Sequence, residues 1–183
     1  MWAKFCLWLL HVLGWTAVDK PCEEDKVIIL GVPHTSNWDF LISYLYYTGV
    51  GGKANVLMKK EMFKGPLGFL LKKMGAIPVD RKNAATMVRS VIDEFNKNDR
   101  VHLALSPEGT RKPIKKWKTG FHTIAKHTGA TVYLGYFDWG TKRIGRGEKF
   151  ELSDDIKADM EKIQAIYEQM HLVGKHNENY LTH

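Results

Sequence analysis

The segment VPHTSNWDFL places a histidine, His34, five residues before an aspartate, Asp39. A histidine in a loop before a helix, with a carboxylate within one turn, can act as a general base, because the carboxylate fixes the ring tautomer and stabilises the imidazolium. Such a pair would remove a proton from a hydroxyl or an amine. The same residues also describe a helix start, with Ser36 as N-cap and Asp39 at the third helical position. Their spacing leaves both interpretations open.

Two further polar segments carry arginines. Asp80 and Arg81 follow the apolar run AIPV, and SPEGTRK follows the run VHLAL. The guanidinium group is a planar fork that matches phosphate oxygens. We therefore expect a phosphate site that uses Arg81 and Arg111, with Glu108 holding one arginine or touching the substrate. The alternative is an ordinary surface turn with solvated charges.

The elements that must position these residues alternate along the chain. Continuous apolar runs predict strands over residues 27–32, 54–58, 76–79, 101–105 and 130–137. Helical periodicity and terminal signals predict helices over residues 37–48, 66–75, 83–98, 118–128 and 156–171. This alternation predicts an α/β fold with a mostly parallel central sheet flanked by helices. Because the carboxyl ends of parallel strands gather functional groups at one edge, the three polar segments are expected to form one site.

Composition narrows the class of protein. A length of 183 residues fits a single domain, and 44% hydrophobic with 26% charged residues is ordinary for a folded globular chain. A net charge of +7 favours anionic partners, namely phosphorylated small molecules, coenzyme A, nucleic acid or an anionic bilayer.

Cys6 and Cys22 form no metal or disulfide framework, which fits a reducing, cytoplasmic setting. His122 and His127 would lie on different helix faces, which argues against a metal site.

The N-terminal segment MWAKFCLWLLHVLGW predicts an apolar helix that is too short to cross a bilayer, which needs roughly 20 apolar residues. No convincing signal-peptide cleavage site follows it. Trp2, Trp8 and Trp15 suit a helix that lies in a membrane interface, whereas packing on the protein's own core is the alternative. We therefore divide the chain into an amphipathic segment, residues 1–16, and a main domain, residues 17–183.

Taken together, the polar segments carry a family resemblance. His34 to Asp39, GAIPVDR at residues 75–81 and SPEGTR at residues 106–111 resemble, in order and approximate spacing, the motifs of the glycerolipid acyltransferases. That family includes the 1-acylglycerol-3-phosphate acyltransferases. The resemblance covers roughly residues 27–134. It implies transfer of an acyl group from acyl-coenzyme A or acyl carrier protein to a hydroxyl of a lysophospholipid, with His34 as general base and Asp39 as its orienting partner.

The resemblance also assigns binding roles. Arg81 would help to bind the acceptor phosphate, and the same subsite would be shaped by Glu108, Gly109, Thr110 and Arg111. No metal, bound cofactor or acyl-enzyme intermediate is implied. The implied partners are the lipid acceptor, the acyl donor and a membrane surface, with the protein peripheral on its cytoplasmic face. Nucleic acid is not an expected partner.

Some features depart from the family pattern and keep alternatives open. Gly135 lies in the strand where the fourth motif usually carries a proline, and Ser106 stands where an aromatic residue commonly precedes Pro-Glu-Gly. These departures permit an acceptor without phosphate. Residues 112–121 interleave lysines with Trp117 and would contact lipid, coenzyme A or an acidic carrier protein, or form a solvated loop. The non-enzymatic alternatives are a basic nucleic-acid-binding domain and a catalytically silent lipid-binding protein.

Overall fold

The computed structural model describes residues 1–80 and 83–180. The strands in these residues are β1 Thr16–Ala17, β2 Lys26–Val32, β3 Asn55–Lys59, β4 Ala76–Val79, β5 Val101–Leu105, β6 Thr131–Asp138, β7 Arg143–Gly145 and β8 Lys149–Phe150. The helices are α1 Trp2–Val12, α2 Trp38–Gly49, α3 Gly65–Lys73, α4 Ala84–Lys97, α5 Gly120–Thr128 and α6 Ile156–Gln169. Short 3-10 turns span Lys60–Phe63 and Asn177–Asn179.

The described strands form one sheet in the order β1-β7-β6-β2-β5-β3-β4, with β8 also paired to β6. Neighbours along the path are parallel except for β7, which runs antiparallel to β6, as β8 does. The predicted α/β fold with a mostly parallel sheet is therefore confirmed, and the N-terminal helix is present. The short strands β1, β7 and β8 were not predicted, because two or three residues are too few to show a periodicity.

After Lys26, strand β2 has no polar side chain, because both of its faces are covered. Ile28 and Leu30 belong to a buried cluster with residues of α4, α5 and α6, whereas Val27 and Ile29 join residues of α1 and α2 on the other face. The neighbouring β6 approaches β2 closely at Gly135, where an added Cβ would lie 2.6 Å from Ile29 Cγ2. Glycine at this position is thus explained by the contact between the two central strands.

Several predicted helix limits shift by one or two residues. Helix α2 begins at Trp38 with Asn37 as its N-cap residue, one position after the Ser36 of the helix-start interpretation. Helix α5 begins at Gly120 rather than at Lys118. Helix α4 starts as expected, because the Asn83 side chain accepts a hydrogen bond of 3.0 Å from the Thr86 N–H.

Helix α1 has one face packed on the fold and another that is exposed. It packs on α2 and buries Cys6 and Leu10, while the large side chains of Trp2, Phe5 and Trp8 remain exposed. Within the described part of the chain, none of the helices combines the length and apolar character that a membrane crossing requires.

Two tryptophans occupy places that the sequence did not indicate. Trp15 is buried and its ring packs edge-on against Trp139, with 4.9 Å between the centroids, so it cannot belong to an interfacial face. Trp117 is buried in the core beside Tyr167, which rules out the expected contact of its ring with lipid or coenzyme A phosphates. Both rings lie inside because removing a large aromatic surface from water lowers the free energy of the folded protein.

Candidate functional site

Three adjacent strands bring the site together. His34 follows β2, Glu108 follows β5 and Trp139 follows β6, and β2 lies between the other two strands in the sheet. Because β5, β2 and β6 are parallel, their carboxyl ends meet at the same edge. The predicted convergence therefore joins the segments that follow β2 and β5. Arg81, which follows β4, lies outside the described residues.

His34 and Asp39 are in contact. Nδ1 of His34 lies 3.1 Å from Oδ2 of Asp39. An ionised carboxylate can only accept in this contact, so the neutral ring that satisfies it carries its proton on Nδ1 and has its lone pair on Nε2. The Asp39 side chain is 1% exposed and that of His34 is 29% exposed, which leaves the ring accessible while its partner is shielded. Such an arrangement can accept a proton from a substrate hydroxyl at Nε2.

The Asp39 carboxylate also organises the turn before α2. Its Oδ2 atom accepts hydrogen bonds from the backbone N–H of Thr35, at 2.9 Å, and of Ser36, at 2.7 Å. The Ser36 hydroxyl accepts from the Trp38 N–H at 3.2 Å. The Asp39 carboxylate thus contacts the His34 ring and also accepts from the backbone at the start of α2, so both interpretations of the segment apply to it.

A tryptophan that the sequence analysis missed binds the other oxygen of this carboxylate. Trp139 donates its indole N–H to Oδ1 of Asp39 at 2.8 Å. The signal that could have found it is its position directly after a predicted apolar strand, which is the same criterion that selected His34.

Glu108 holds the histidine from the backbone side. It accepts a 2.6 Å hydrogen bond from the His34 N–H and a 3.0 Å bond from the Ser106 hydroxyl, and the residue is 5% exposed. Burial raises the pKa of Glu108 above its ordinary value, although these two donors favour the ionised form. The observed contact positions the turn that carries His34, a role for Glu108 that the sequence did not suggest.

The remaining residues of the SPEGTR segment form a turn that contacts the N-cap residue of α2 through Arg111. Gly109 adopts a left-handed conformation with φ +65°, which few residues other than glycine tolerate. The Arg111 guanidinium donates to the Asn37 side chain, which joins this segment to the first residues of α2. Thr110 accepts a 3.2 Å bond from the Lys112 N–H.

A cleft of about 640 Å³ opens next to the histidine turn. Its walls are formed by Thr35, Ser36, Asn37, Trp38, Thr110, Arg111, Lys112, Lys175, His176 and Asn179. Three of these side chains are permanent cations, and the N-terminus of α2 faces the same space, so the cleft favours an anionic group. Lys175, His176 and Asn179 come from the C-terminal segment, residues 170–180, in which the sequence showed no functional pattern.

Two other histidines are held inside the fold. His122 Nε2 lies 3.1 Å from Asp159 Oδ2, and both side chains are buried. His102 lies between the Tyr47 hydroxyl, at 2.6 Å from Nδ1, and the Glu24 carbonyl, at 2.7 Å from Nε2. Among residues 1–80 and 83–180, no group of three or more histidine, cysteine or acidic side chains is arranged to hold a metal ion.

The family model named acyltransferase matches residues 11–134, which is more than half of the chain. The chain belongs to the acyltransferase family. The resemblance to glycerolipid acyltransferases seen in the three motifs is thus confirmed. The match ends before Trp139 and the C-terminal segment, so these parts of the site lie beyond the region that the family model covers.

Two relatives agree with this assignment. The chain is 28% identical over 160 residues to the 1-acyl-sn-glycerol-3-phosphate acyltransferase of Streptococcus pneumoniae, an alignment that covers 81% of the chain and 59% of that protein. The chain therefore spans little more than half of this relative's length. The crystal structure of the 1-acyl-sn-glycerophosphate acyltransferase PlsC from Thermotoga maritima has the same fold, with a TM-score of 0.61 and 18% identity over 95% of the chain and 80% of that structure.

Proposed function

We propose that the protein transfers a fatty acyl group from an acyl thioester to the hydroxyl of a lysophospholipid such as 1-acylglycerol-3-phosphate. The observation that carries the proposal is the His34–Asp39 pair, whose partly exposed histidine directly precedes Thr35, a wall residue of the cationic cleft. Membership of the acyltransferase family supports the reaction class. The acyl donor is acyl-coenzyme A or acyl carrier protein, and the residues named below need no metal or bound cofactor.

In the proposed reaction, Nε2 of His34 takes the proton as the acceptor oxygen forms its bond to the thioester carbon. The Asp39 carboxylate stabilises the imidazolium. The tetrahedral intermediate then collapses by breaking the carbon–sulfur bond, and the leaving thiolate takes the proton back from Nε2. General-base assistance of this kind typically contributes roughly a hundredfold to ten-thousandfold in rate.

The acceptor's phosphate is proposed to occupy the cationic cleft. Arg111 can offer a two-pronged contact, and Lys112 and Lys175 add positive charge to the same cleft. Arg81 is proposed to bind the same phosphate, with Glu108, Gly109 and Thr110 shaping the subsite. An acceptor without phosphate would leave these cations unmatched.

We further propose that the protein works peripherally at a membrane, on its cytoplasmic face, with residues 1–16 as the contact and 17–183 as the catalytic domain. Trp2, Phe5 and Trp8 form a row of exposed rings on α1, with centroids 5.4 Å and 5.8 Å apart. Indole rings favour the boundary between lipid headgroups and acyl chains. Helix α1 would therefore hold the enzyme beside its lipid acceptor.

The test is mass-spectrometric detection of acylated product from the purified protein. Acceptors with and without a phosphate are each supplied with acyl-coenzyme A and, separately, with acyl carrier protein thioester. We expect product with the phosphate-bearing lysolipid and a severe loss in Asp39→Asn, in which the partner of His34 keeps its shape but loses its charge. Absence of product from every combination would refute the proposal, and nucleic-acid binding that weakens steeply with salt would favour the basic binding-domain alternative.

A further inference from the structure

The Asp39 carboxylate is held unevenly by its surroundings. Its Oδ2 atom faces the ring of His34 and the backbone N–H groups of Thr35 and Ser36. All three of these donors come from the turn that the carboxylate itself closes. The opposite oxygen, Oδ1, faces the indole N–H of Trp139 at 2.8 Å. Unlike the donors to Oδ2, this indole belongs to a distant part of the described chain.

The Trp139 ring is fixed on several sides. The ammonium groups of Lys142 and Lys175 lie 4.3 Å and 4.4 Å from its ring centroid. Trp15 packs edge-on against it. Cation–ring contacts and edge-to-face packing each contribute favourable energy, so together they limit the orientations of the indole.

The backbone beside Trp139 is anchored as well. Its N–H donates to the Val173 carbonyl at 2.8 Å, and the Val173 N–H donates to the Asp138 side chain at 3.0 Å. These bonds dock the C-terminal segment against the end of β6. Since Lys175 follows two residues later and lines the cleft, the segment that holds the ring also forms one wall of the cleft.

We propose that Trp139 is a positioning residue, which holds Asp39 in the orientation that keeps the His34 ring ready to accept a proton. The indole N–H donates to the carboxylate, so Trp139 acts through Asp39. Without the indole N–H, Oδ1 would lie buried without this donor, and a carboxylate with one fixed oxygen is freer to turn about its Cβ–Cγ bond. The inference rests on the proposed acyl transfer for its kinetic test.

The kinetic test is Trp139→Phe, which keeps an aromatic ring and removes the donor. We expect kcat to fall about tenfold to a hundredfold, as for the loss of one hydrogen bond to a charged group. The KM values of donor and acceptor should change less than about twofold, because an interaction that acts only on the chemical step leaves binding intact. Trp117→Phe is the matched control, since it makes the same substitution at a buried tryptophan in the core cluster on the other face of the sheet; its kcat should stay near the wild-type value.

A double variant separates action through Asp39 from a general packing role. In the Asp39→Asn background, Trp139→Phe should lower kcat little further, because residues that act as a unit are not additive. Multiplication of the two separate effects would overturn the proposal, as would a Trp139→Phe enzyme with wild-type kcat. An inactive wild-type enzyme would instead count against the proposed function, so the two failures are distinguishable.

A spectroscopic readout needs neither turnover nor a change at Trp139. In the folded wild-type protein, the indole proton of Trp139 should exchange slowly with solvent, whereas the exposed indole of Trp8 should exchange fast. Asp39→Asn should shift the Trp139 indole resonance and leave that of Trp8 in place. Fast exchange at Trp139, or a resonance unmoved by Asp39→Asn, would overturn the proposed hydrogen bond.

Discussion

The ring of His122 lies 3.1 Å from the carboxylate of Asp159, the same separation that joins His34 to Asp39. The side chain of His122 is 4% exposed, whereas that of His34 is 29% exposed. Asp159 also accepts hydrogen bonds from the N–H and the hydroxyl of Ser153, at 2.7 Å and 2.8 Å. The same His–Asp separation therefore occurs in the buried core at His122 and beside a partly exposed ring at His34.

Asp159→Asn is expected to destabilise the protein by about 3 kcal/mol, because it breaks a buried pair and leaves His122 without a charged partner. Turnover at temperatures where the variant remains folded should stay near wild type. Chemical denaturation and steady-state rates measure the two quantities. Unchanged stability, or a rate loss as large as that of Asp39→Asn, would contradict the structural role.

The same carboxylate predicts a pH dependence of stability. Burial opposes the ionisation of Asp159, but its bonds to Ser153 and its contact with His122 hold its pKa below the ordinary value. A carboxyl whose pKa is lower in the folded state stabilises the fold above its unfolded pKa of about 3.9, and this contribution is lost as the pH falls through the lowered value. The difference in unfolding free energy between wild type and Asp159→Asn should therefore shrink in strong acid.

For Glu108 we predict a pH dependence of stability with the opposite sign. Burial raises its pKa, so the folded protein binds this proton more readily than the unfolded chain. Ionising Glu108 then costs stability as the pH rises above its unfolded pKa of about 4.3. In denaturation experiments from pH 4 to pH 7, stability should shift in favour of Glu108→Gln relative to wild type. A constant difference across this range would show that Glu108 is not perturbed.

Lys175→Ala tests the cationic cleft. Loss of one charged contact should raise the KM of a phosphate-bearing acceptor by about tenfold and leave the KM of the acyl donor nearly unchanged. Lys162→Ala, which removes an exposed lysine on α6, is the matched control. Equal effects on both substrates, or equal effects of the two substitutions, would place the phosphate elsewhere.

Replacing both Trp2 and Trp8 with alanine tests the membrane face of α1. These side chains are 59% and 57% exposed, so their removal should cost the fold little while weakening co-sedimentation with vesicles that contain anionic lipid. Ile166→Ala removes an exposed apolar side chain from α6 and should leave vesicle binding intact. Equal partitioning of the wild type and the double variant would contradict the proposed contact.

The fold and part of the site could be predicted because their signals are local. Strand β2 is a continuous apolar run that needs both faces covered, and the Pro66 and Gly75 signals bracket α3 closely. Likewise, His34, Asp39 and the SPEGTR segment lie next to predicted strand ends, where parallel sheets collect functional groups.

What could not be predicted depends on contacts between distant parts of the chain. Trp139 is 100 positions from the carboxylate that it binds, and no local pattern identifies its partner. Lys175 reaches the cleft because the C-terminal segment docks on the end of β6, which requires the tertiary fold. The apolar N-terminal segment predicts an interfacial Trp15, and the lysine-rich segment around Trp117 predicts an exposed ring, yet packing buries both tryptophans.

The central claim is that His34, oriented by Asp39, is the general base of an acyl transfer. The most direct measurement compares acylated product formed by wild type and by His34→Ala, with the unfolding free energy of each. The account predicts a rate loss of at least about a hundredfold. It also predicts a stability change below about 1 kcal/mol, because the ring is partly exposed and its removal opens no cavity in the core. A folded His34→Ala protein that turns over at the wild-type rate would contradict it.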